Sequence, residues 1–308
     1  MRLLFFDSFK LGVLKGNDAV VDVSDAVGDL PQHHPQDLIR AVIERWSEFG
    51  PLLEEAVALS EGVPLSSVNI RPPLPSPQNI ICMAVNYMEN GTLPAPPPIN
   101  AFHKSPNAVI GDGETMRLPD VPATIFEGEA ELAVVIGKRA TNVPAAEAMD
   151  YVFGYTSLID GSARGLPGGF YQMKSRDTFC PIGPFLVTAD EVPDPQNLSV
   201  RLWNNGTLFQ DFHTSDMAHK IPRCIEFISS CHTLEPGDIL STGTNHRGLN
   251  PFMDGDRIEL EVEGLGRLHI DIADDLKRTW DRQTRLQRQE AGEKEPTTPQ
   301  LTGKYAPS

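Results

Sequence analysis

Two glutamates, Glu129 and Glu131, have the spacing that first points to chemistry in this sequence. They precede residues 133–137, an apolar and β-branched run that is typical of a buried strand ended by glycine. Because side chains alternate along a strand, both carboxylates point to one face, roughly 6–7 Å apart. Burying them requires a compensating cation, and oxygen ligands suit Mg²⁺, Mn²⁺ or Ca²⁺ better than Zn²⁺. The alternative is a solvated strand end whose glutamates face water.

A third carboxylate, Asp160, follows the aromatic and β-branched segment 152–157. We expect a loop after that strand to present it. Asp160 would complete an open metal site whose remaining positions are left to water and substrate. The alternative is an aspartate that caps the turn before Gly161.

Short β-like segments surround these carboxylates, so we predict a mostly β core. Asn205 and Gly206 separate two of the segments and indicate a hairpin. Apolar residues from Met217 to Ile228 follow helical spacing, with Thr214 or Ser215 as the expected cap. The predicted strands are 79–85, 101–104, 130–136, 152–157, 183–188, 198–203, 207–212, 257–263 and 267–270.

The order of these patterns predicts three parts. Residues 1–72 form a small N-terminal α/β domain, with strands at 2–6 and 19–23 and helices over 35–61 that break near Gly50 and Pro51. A proline-rich linker, 72–77, separates it from a catalytic domain over residues 73–280. The polar tail 281–308 is expected to form an exposed helix followed by disorder.

Composition restricts the function classes. The 308 residues carry a formal net charge of -16, from 42 acidic and 26 basic residues. This balance argues against nucleic acid or an anionic membrane as partner, since both require basic patches. The sequence has no apolar run of about 18 residues and no signal-peptide pattern, so a cytoplasmic protein is expected. The four cysteines lack Cys-x-x-Cys spacing, which argues against a zinc site or a disulfide framework.

Five motifs follow one another along the sequence: Glu129-Ala-Glu131-Leu132, Asp160-Gly-Ser-Ala-Arg164, Lys174-Ser-Arg-Asp177-Thr-Phe-Cys-Pro181-Ile-Gly183-Pro184, Leu234-Glu-Pro236-Gly237-Asp238 and Thr242-Gly-Thr244. Together they resemble the fumarylacetoacetate hydrolase family over about residues 77–272. The resemblance implies a mixed β-roll, mainly β within the α+β class, with a small N-terminal extension and a homodimer as the usual assembly. It also implies Mg²⁺, Mn²⁺ or Ca²⁺ as cofactor and 2-oxo or β-diketo acids as substrates.

The resemblance assigns roles to single residues of this sequence. Lys174 matches the lysine that engages the substrate's oxygen atoms, and Arg164 matches an arginine beside the metal, although a structural salt bridge is the alternative for Arg164. Thr244 matches a threonine whose loop contacts the substrate carboxylate, and we extend that substrate-binding role to its neighbour Asn245. The implied metal ligands are Glu129, Glu131 and Asp160.

One segment departs from the pattern of the family's hydrolases. They place a His and, three residues on, a Glu on a lid segment after Asn-Tyr, and this pair activates water. Here Asn90 and Leu93 occupy those two positions. Glu89, next to the first position, and His246, in a glycine-flanked loop, are the substitutes that we predict as acid/base residues.

We therefore expect a metal-dependent enzyme acting on 2-oxo or β-diketo acids through a stabilised enolate. Hydrolysis of a C–C bond, as in acylpyruvate hydrolases, is placed ahead of isomerisation, tautomerisation or decarboxylation of the same substrates. A non-catalytic protein that binds carboxylates is the competing class, and retention of the three carboxylates with Lys174 argues against it.

Overall fold

The fold was analysed in a computed structural model that describes residues 1–30 and 33–307. Within this part of the chain the five α-helices are α1 Pro35–Glu44, α2 Trp46–Leu59, α3 Gly169–Lys174, α4 Ile221–Cys231 and α5 Arg285–Glu290. The strands, in chain order, are β1 Arg2–Phe6, β2 Lys10–Lys15, β3 Ala19–Asp22, β4 Val63–Pro64, β5 Ile70–Arg71, β6 Ile80–Met83, β7 Ala101–Lys104, β8 Val109–Ile110, β9 Thr115–Arg117, β10 Phe126–Ile136, β11 Val152–Ala163, β12 Cys180–Thr188, β13 Ser199–Asn204, β14 Thr207–His213, β15 Ile239–Ser241, β16 Arg257–Val262, β17 Arg267–Ala273, β18 Thr279–Trp280 and β19 Gln300–Thr302.

Two sheets form most of the molecule, which confirms the predicted sheet-dominated α+β class. The larger sheet has the order β4-β3-β2-β1-β12-β11-β10-β15-β6-β7, with β5 paired to β1 and β8 to β12. The smaller has the order β14-β13-β16-β17-β9. The two long central strands, β10 and β11, pair antiparallel along almost their whole length.

Strand β10 divides its side chains between two different surroundings. Its even-numbered residues, such as Leu132 and Val134, pack in a core shared with the smaller sheet. Its odd-numbered residues begin as glutamates and continue as Ala133 and Val135, which pack in a core that also contains residues of α1 and α2. The N-terminal helices therefore cover the apolar half of that face, and the glutamates occupy the remaining half.

The N-terminal strands belong to the same sheet as the central strands. Strand β1 pairs antiparallel with β12, with Leu3 opposite Leu186. The division into domains at residue 72 stays a prediction, but hydrogen bonds join the backbones of the two parts. Among the described residues, none of the helices is long and apolar enough to cross a bilayer.

Two predictions about helices are wrong in position. The break between the first two helices falls at Arg45, whose φ and ψ of -111° and 31° leave the helical region, whereas Pro51 lies inside α2. Pro51 lacks the N–H that would donate to the carbonyl four residues earlier, yet the helix continues through it to Leu59. Helix α4 begins at Ile221 with Pro222 in its first turn and no capping side chain, so Thr214 and Ser215 form a separate 3-10 turn instead.

Two further predictions, about Asp160 and the tail, are also wrong. Strand β11 continues to Ala163, so Asp160 lies within a strand and not in a loop or turn. The tail after the exposed helix is not simply disordered, because β19 pairs with β18, with Gln300 opposite Trp280. Thr284 and Gln287 form a capping box that starts α5.

Candidate metal and active site

The register of β10 and β11 brings three carboxylates together. Glu129 lies directly opposite Asp160, and Glu131 is two residues further along the same face of β10. One oxygen atom from each residue lies within 4.8 Å of the others. All three residues are buried, with 6%, 0% and 0% of the surface of Glu129, Glu131 and Asp160 exposed. The predicted carboxylate cluster is therefore present.

Cationic side chains compensate part of this buried negative charge. Lys174 Nζ, at the end of α3, lies 2.8 Å from Glu129 Oε1 and 2.6 Å from Asp160 Oδ2. Arg164, which directly follows β11, donates from Nε to Glu127 Oε2 at 2.9 Å and from Nη2 to Glu129. The salt bridge considered for Arg164 is thus present, and it reaches the carboxylate cluster itself.

Lys104 is a member of the site that the sequence reasoning missed. Its Nζ lies 2.6 Å from Asp160 Oδ1 and donates to the backbone oxygen of Lys174 at 2.5 Å. The Lys104 side chain is fully buried at the end of β7. The sequence contains one signal for this role. Lys104 is two residues from Phe102 on a predicted strand and so shares its face, and a charged side chain on an apolar strand face needs a charged or polar partner.

Lys104→Met is expected to destabilise the protein by about 3–5 kcal/mol, because it removes one partner of a fully buried ion pair. Denaturant unfolding of the metal-free protein measures the effect. Lys10→Met is the control, since Lys10 pairs with Asp22 at 2.8 Å but lies on the surface, and there we expect little change. Equal stability losses in the two variants would contradict the assigned role of Lys104.

The donor set of the cluster fits a hard divalent cation. Glu131 Oε2 accepts hydrogen bonds from Ser241 Oγ and from the Gly243 N–H, whereas Oε1 is buried without a hydrogen-bond partner. The hydrogen bonds of Glu129 to Lys174 and Arg164 both go to Oε1. Both oxygens of Asp160 are paired with lysines, so the two glutamates supply the oxygens without such a partner. Carboxylate oxygens of this kind are the ligands that Mg²⁺, Mn²⁺ and Ca²⁺ prefer.

The two glutamates of the cluster have opposite pKa shifts. Burial, followed by the negative charges of Asp160 and Glu129, raises the pKa of Glu131 well above its ordinary value. Burial also disfavours ionisation of Glu129, but Lys174 and Arg164 outweigh it and lower the pKa of Glu129 well below its ordinary value. Of the two glutamates, Glu131 is therefore the one whose protonated form is favoured in the absence of a cation.

Divalent-cation affinity is expected to rise with pH. A cation must displace the proton that the raised pKa keeps on Glu131, so affinity increases about tenfold per pH unit below that pKa. Calorimetric titration with Mn²⁺ over a pH series that starts just above the ordinary pKa of glutamate measures this slope and the released proton. Constant affinity without proton release would contradict the assignment of Glu131 as the protonated ligand.

Glu89 and His246 lie 157 positions apart in the chain but form a hydrogen-bonded pair. His246 Nδ1 lies 2.7 Å from Glu89 Oε1, and the His246 backbone N–H donates to Glu89 Oε2 at 3.0 Å. The side chains are 21% and 14% exposed for His246 and Glu89. The loop that leads to His246 contacts the carboxylate cluster, because the Gly243 N–H donates to Glu131 Oε2 at 3.0 Å.

The segment that carries Glu89 has an unusual backbone. Glu89 and Asn90 have φ angles of 54° and 57°, a left-handed conformation that costs non-glycine residues about 1–3 kcal/mol each. The turn 246–248 that carries His246 is capped by Asn245, whose Oδ1 accepts from the Arg247 N–H. Backbone strain of this kind is concentrated at functional sites.

Thr244 and Asn245 hold the loop that precedes His246. Thr244 Oγ1 donates to the Ala130 carbonyl at 2.8 Å and accepts from Gln210 Nε2 at 2.9 Å. Asn245 Nδ2 donates to Asn90 Oδ1 at 3.1 Å. These bonds join the loop to β10 and to the Glu89 segment, while the substrate-binding roles of Thr244 and Asn245 stay predictions.

Three carboxylates lie buried beside two lysines on the central sheet, and this arrangement is a candidate carboxylate metal site. A family model described as fumarylacetoacetate (FAA) hydrolase C-terminal matches residues 79–273. This match covers more than half of the 308 residues. The chain therefore belongs to the fumarylacetoacetate hydrolase family.

Solved and curated relatives of the chain differ in activity. The structure of maleylpyruvate hydrolase from Sphingobium sp. SYK-6, in complex with manganese(II) and pyruvate, has a TM-score of 0.81 and 35% identity, and covers 89% of this chain and 99% of that chain. Oxaloacetate tautomerase YisK of Bacillus subtilis is 38% identical over 68% of this chain and 74% of its own length. The bifunctional isomerase/decarboxylase of 4-hydroxyphenylacetate degradation from Escherichia coli is 38% identical over 76% of this chain and 54% of its own length.

Proposed function

We propose that this protein is a divalent-metal-dependent hydrolase that cleaves a C–C bond in 2-oxo or β-diketo acids of the acylpyruvate type. The observation that carries the proposal is the Glu89–His246 pair at the end of the loop that contacts Glu131, because it supplies an acid/base group where the usual dyad is replaced by Asn90 and Leu93. The similarity to maleylpyruvate hydrolase over 89% of the chain supports it.

Glu129, Glu131 and Asp160 would hold the cation, with Mg²⁺, Mn²⁺ or Ca²⁺ as the candidates. When bound, the cation supplies positive charge to the carboxylate and keto oxygens of a 2-oxo acid and favours its enolate form. Lys174 holds a second positive charge at the same place, since its Nζ lies between Glu129 and Asp160.

Arg164 and an aromatic pair define where the substrate would bind. The hydrogen bonds of Arg164 to Glu127 and Glu129 use Nε and Nη2, which leaves Nη1 for a substrate carboxylate. Phe102 and Phe170 stack with centroids 4.5 Å apart, and Lys174 Nζ lies 5.5 Å from the Phe102 centroid. We propose that this apolar wall receives the acyl group.

His246 would act as the base that activates water. With Nδ1–H donated to the Glu89 carboxylate, Nε2 is the acceptor that takes a proton from water. The water oxygen attacks the distal ketone carbon, and the C–C bond breaks with its electron pair going to the enolate of the 2-oxo acid. The imidazolium then returns the proton to C3 of this enolate, the carbon released by the cleavage, which yields a carboxylic acid and a 2-oxo acid.

Incubation of Mn²⁺-loaded protein with acylpyruvates tests this proposal. We expect the enol absorbance to disappear together with the release of pyruvate and a carboxylic acid in equal amounts. Loss of enol absorbance without acid fragments would reject hydrolysis and would support tautomerisation.

Isomerisation, tautomerisation or decarboxylation of the same substrates is the second candidate. The replacement of the lid dyad by Asn90 and Leu93 favours it, as do the tautomerase and isomerase/decarboxylase relatives. Oxaloacetate distinguishes these outcomes, since tautomerisation changes only its enol absorbance and decarboxylation releases CO₂. A protein that binds oxalate but converts neither substrate class would support the non-catalytic reading.

We also propose that the protein is a homodimer, as the family resemblance implies. Light scattering of the purified protein tests this, and a monomeric mass would contradict it.

A further inference from the structure

The C-terminal helix α5 lies between two parts of the site. The Arg285 backbone N–H donates to the Leu249 carbonyl at 3.2 Å, directly after the turn 246–248 that carries His246. Thr284 and Leu286 line a cavity of about 140 Å³ together with Asn90 and Asn245. The helix therefore packs against the loop that holds the proposed base.

The Arg285 side chain reaches the other part of the site. Its Nη2 lies 2.5 Å from Glu127 Oε2, and its Nε lies 3.2 Å from Glu127 Oε1. The Glu127 side chain is 1% exposed and also accepts from Arg164 Nε at 2.9 Å. Arg164 in turn donates to Glu129. A continuous chain of charges thus runs from the C-terminal helix to the carboxylate cluster.

We propose that Arg285 is a positioning residue of the active site, acting through Glu127 on Arg164. The proposal rests on the proposed function, in which Arg164 meets the substrate carboxylate. Under this proposal, the segment after residue 273 contributes to the active site, although it lies beyond the region that matches the family model.

Charge balance around Glu127 explains why two arginines are needed. Glu127 is a buried carboxylate, and its ion-pair partners are Arg285 and Arg164. Without Arg285, Glu127 would have Arg164 as its ion-pair partner alone. The Arg164 guanidinium would then turn towards Glu127 and away from Glu129 and the substrate position. The bidentate contact from Arg285 leaves Arg164 free to face the cluster.

Binding of oxalate to the Mn²⁺-loaded protein tests this role without requiring turnover. For Arg285→Gln we expect oxalate affinity to fall about tenfold, as is common when a partner of a site residue is lost. KM for an acylpyruvate should rise by a similar factor, with a smaller change in kcat. Arg285→Lys should recover part of the oxalate affinity, because it restores the charge but not the bidentate geometry.

Arg282→Gln is the matched control. Arg282 belongs to the same tail and pairs with another buried carboxylate, Asp256, whose other partners include Asn204 and Asn205 and not the site. Oxalate affinity should stay at the parent value in this variant. Equal losses in Arg282→Gln and Arg285→Gln would overturn the proposal, since both would then reflect general loosening of the tail.

A second variant separates charge balance from folding. In Glu127→Gln/Arg285→Gln the two charges are removed together, so Arg164 keeps its pairing with Glu129 and oxalate affinity should exceed that of Arg285→Gln alone. Additive losses would overturn the proposal. If the parent binds neither Mn²⁺ nor oxalate, the proposed function and this inference fail together, whereas unchanged binding in Arg285→Gln overturns only the inference.

Discussion

Glu131→Gln is expected to abolish both turnover and the stabilisation of the protein by divalent cations. The parent should gain about 2.7 kcal/mol at a Mn²⁺ concentration about 100-fold above Kd, or roughly 5 °C in Tm, and the variant should gain almost nothing. The cause is the loss of the buried oxygen, Glu131 Oε1, that has no hydrogen-bond partner in the protein. Turnover should fall by more than about 100-fold.

The melting temperature of Glu131→Gln in the absence of metal provides a second test. Burial and the neighbouring carboxylates raise the pKa of Glu131 and favour its protonated form in the metal-free protein, which the neutral glutamine resembles. Tm without metal should therefore match or exceed the parent value. Glu261→Gln is the control, since Glu261 lies on β16 of the smaller sheet and pairs there with Arg267. A parent that melts identically with and without Mn²⁺ or Mg²⁺ would contradict the metal assignment.

His246→Asn is expected to lower the rate of C–C hydrolysis by about 10²–10⁴-fold, the usual contribution of a general base. Stabilisation by Mn²⁺ should persist, because the three carboxylates are intact. Calorimetry and product analysis on one preparation measure both effects. Glu89→Gln should lower the rate in the same direction, since Glu89 orients the imidazole through the 2.7 Å contact to Nδ1.

His269→Asn is the matched control for this prediction. His269 Nδ1 lies 3.1 Å from Asp112 Oδ1, so it forms a histidine–carboxylate pair of the same type on another part of the surface. Hydrolysis should continue at the parent rate in this variant. An unchanged rate in His246→Asn would show that the Glu89–His246 pair does not activate water, and only the enolate part of the proposed mechanism would then stand.

Local patterning in the sequence predicted the strand that carries the glutamates and the face they share. Two-residue alternation is a property of the strand itself, so Glu129 and Glu131 could be placed together before any tertiary contact was known. The pattern predicts a loop at Asp160 because the aromatic and β-branched segment ends at residue 157, but pairing with β10 extends the strand through Asp160 and Gly161. Tertiary pairing thus outweighed the local turn signal.

Contacts between distant segments could not be read from local patterns. Lys104 approaches Asp160 from the edge strand β7, and Glu89 approaches His246 across 157 positions. Comparison with the family's motifs indicates Glu89 and His246 as two separate candidates, but their contact is visible only in the fold. The interaction of Arg285 with Glu127 depends on the docked tail, where composition had indicated disorder.

A crystal structure of the protein with Mn²⁺ and oxalate tests the central claim most directly. We predict a Mn²⁺ ion about 2.0–2.6 Å from oxygens of Glu129, Glu131 and Asp160, with oxalate on the ion. Glu89 or His246 should lie within about 3.2 Å of the oxalate or of a water beside it. An ion bound elsewhere, or a Glu89–His246 pair out of reach of both ligand and water, would contradict a hydrolytic centre at this site.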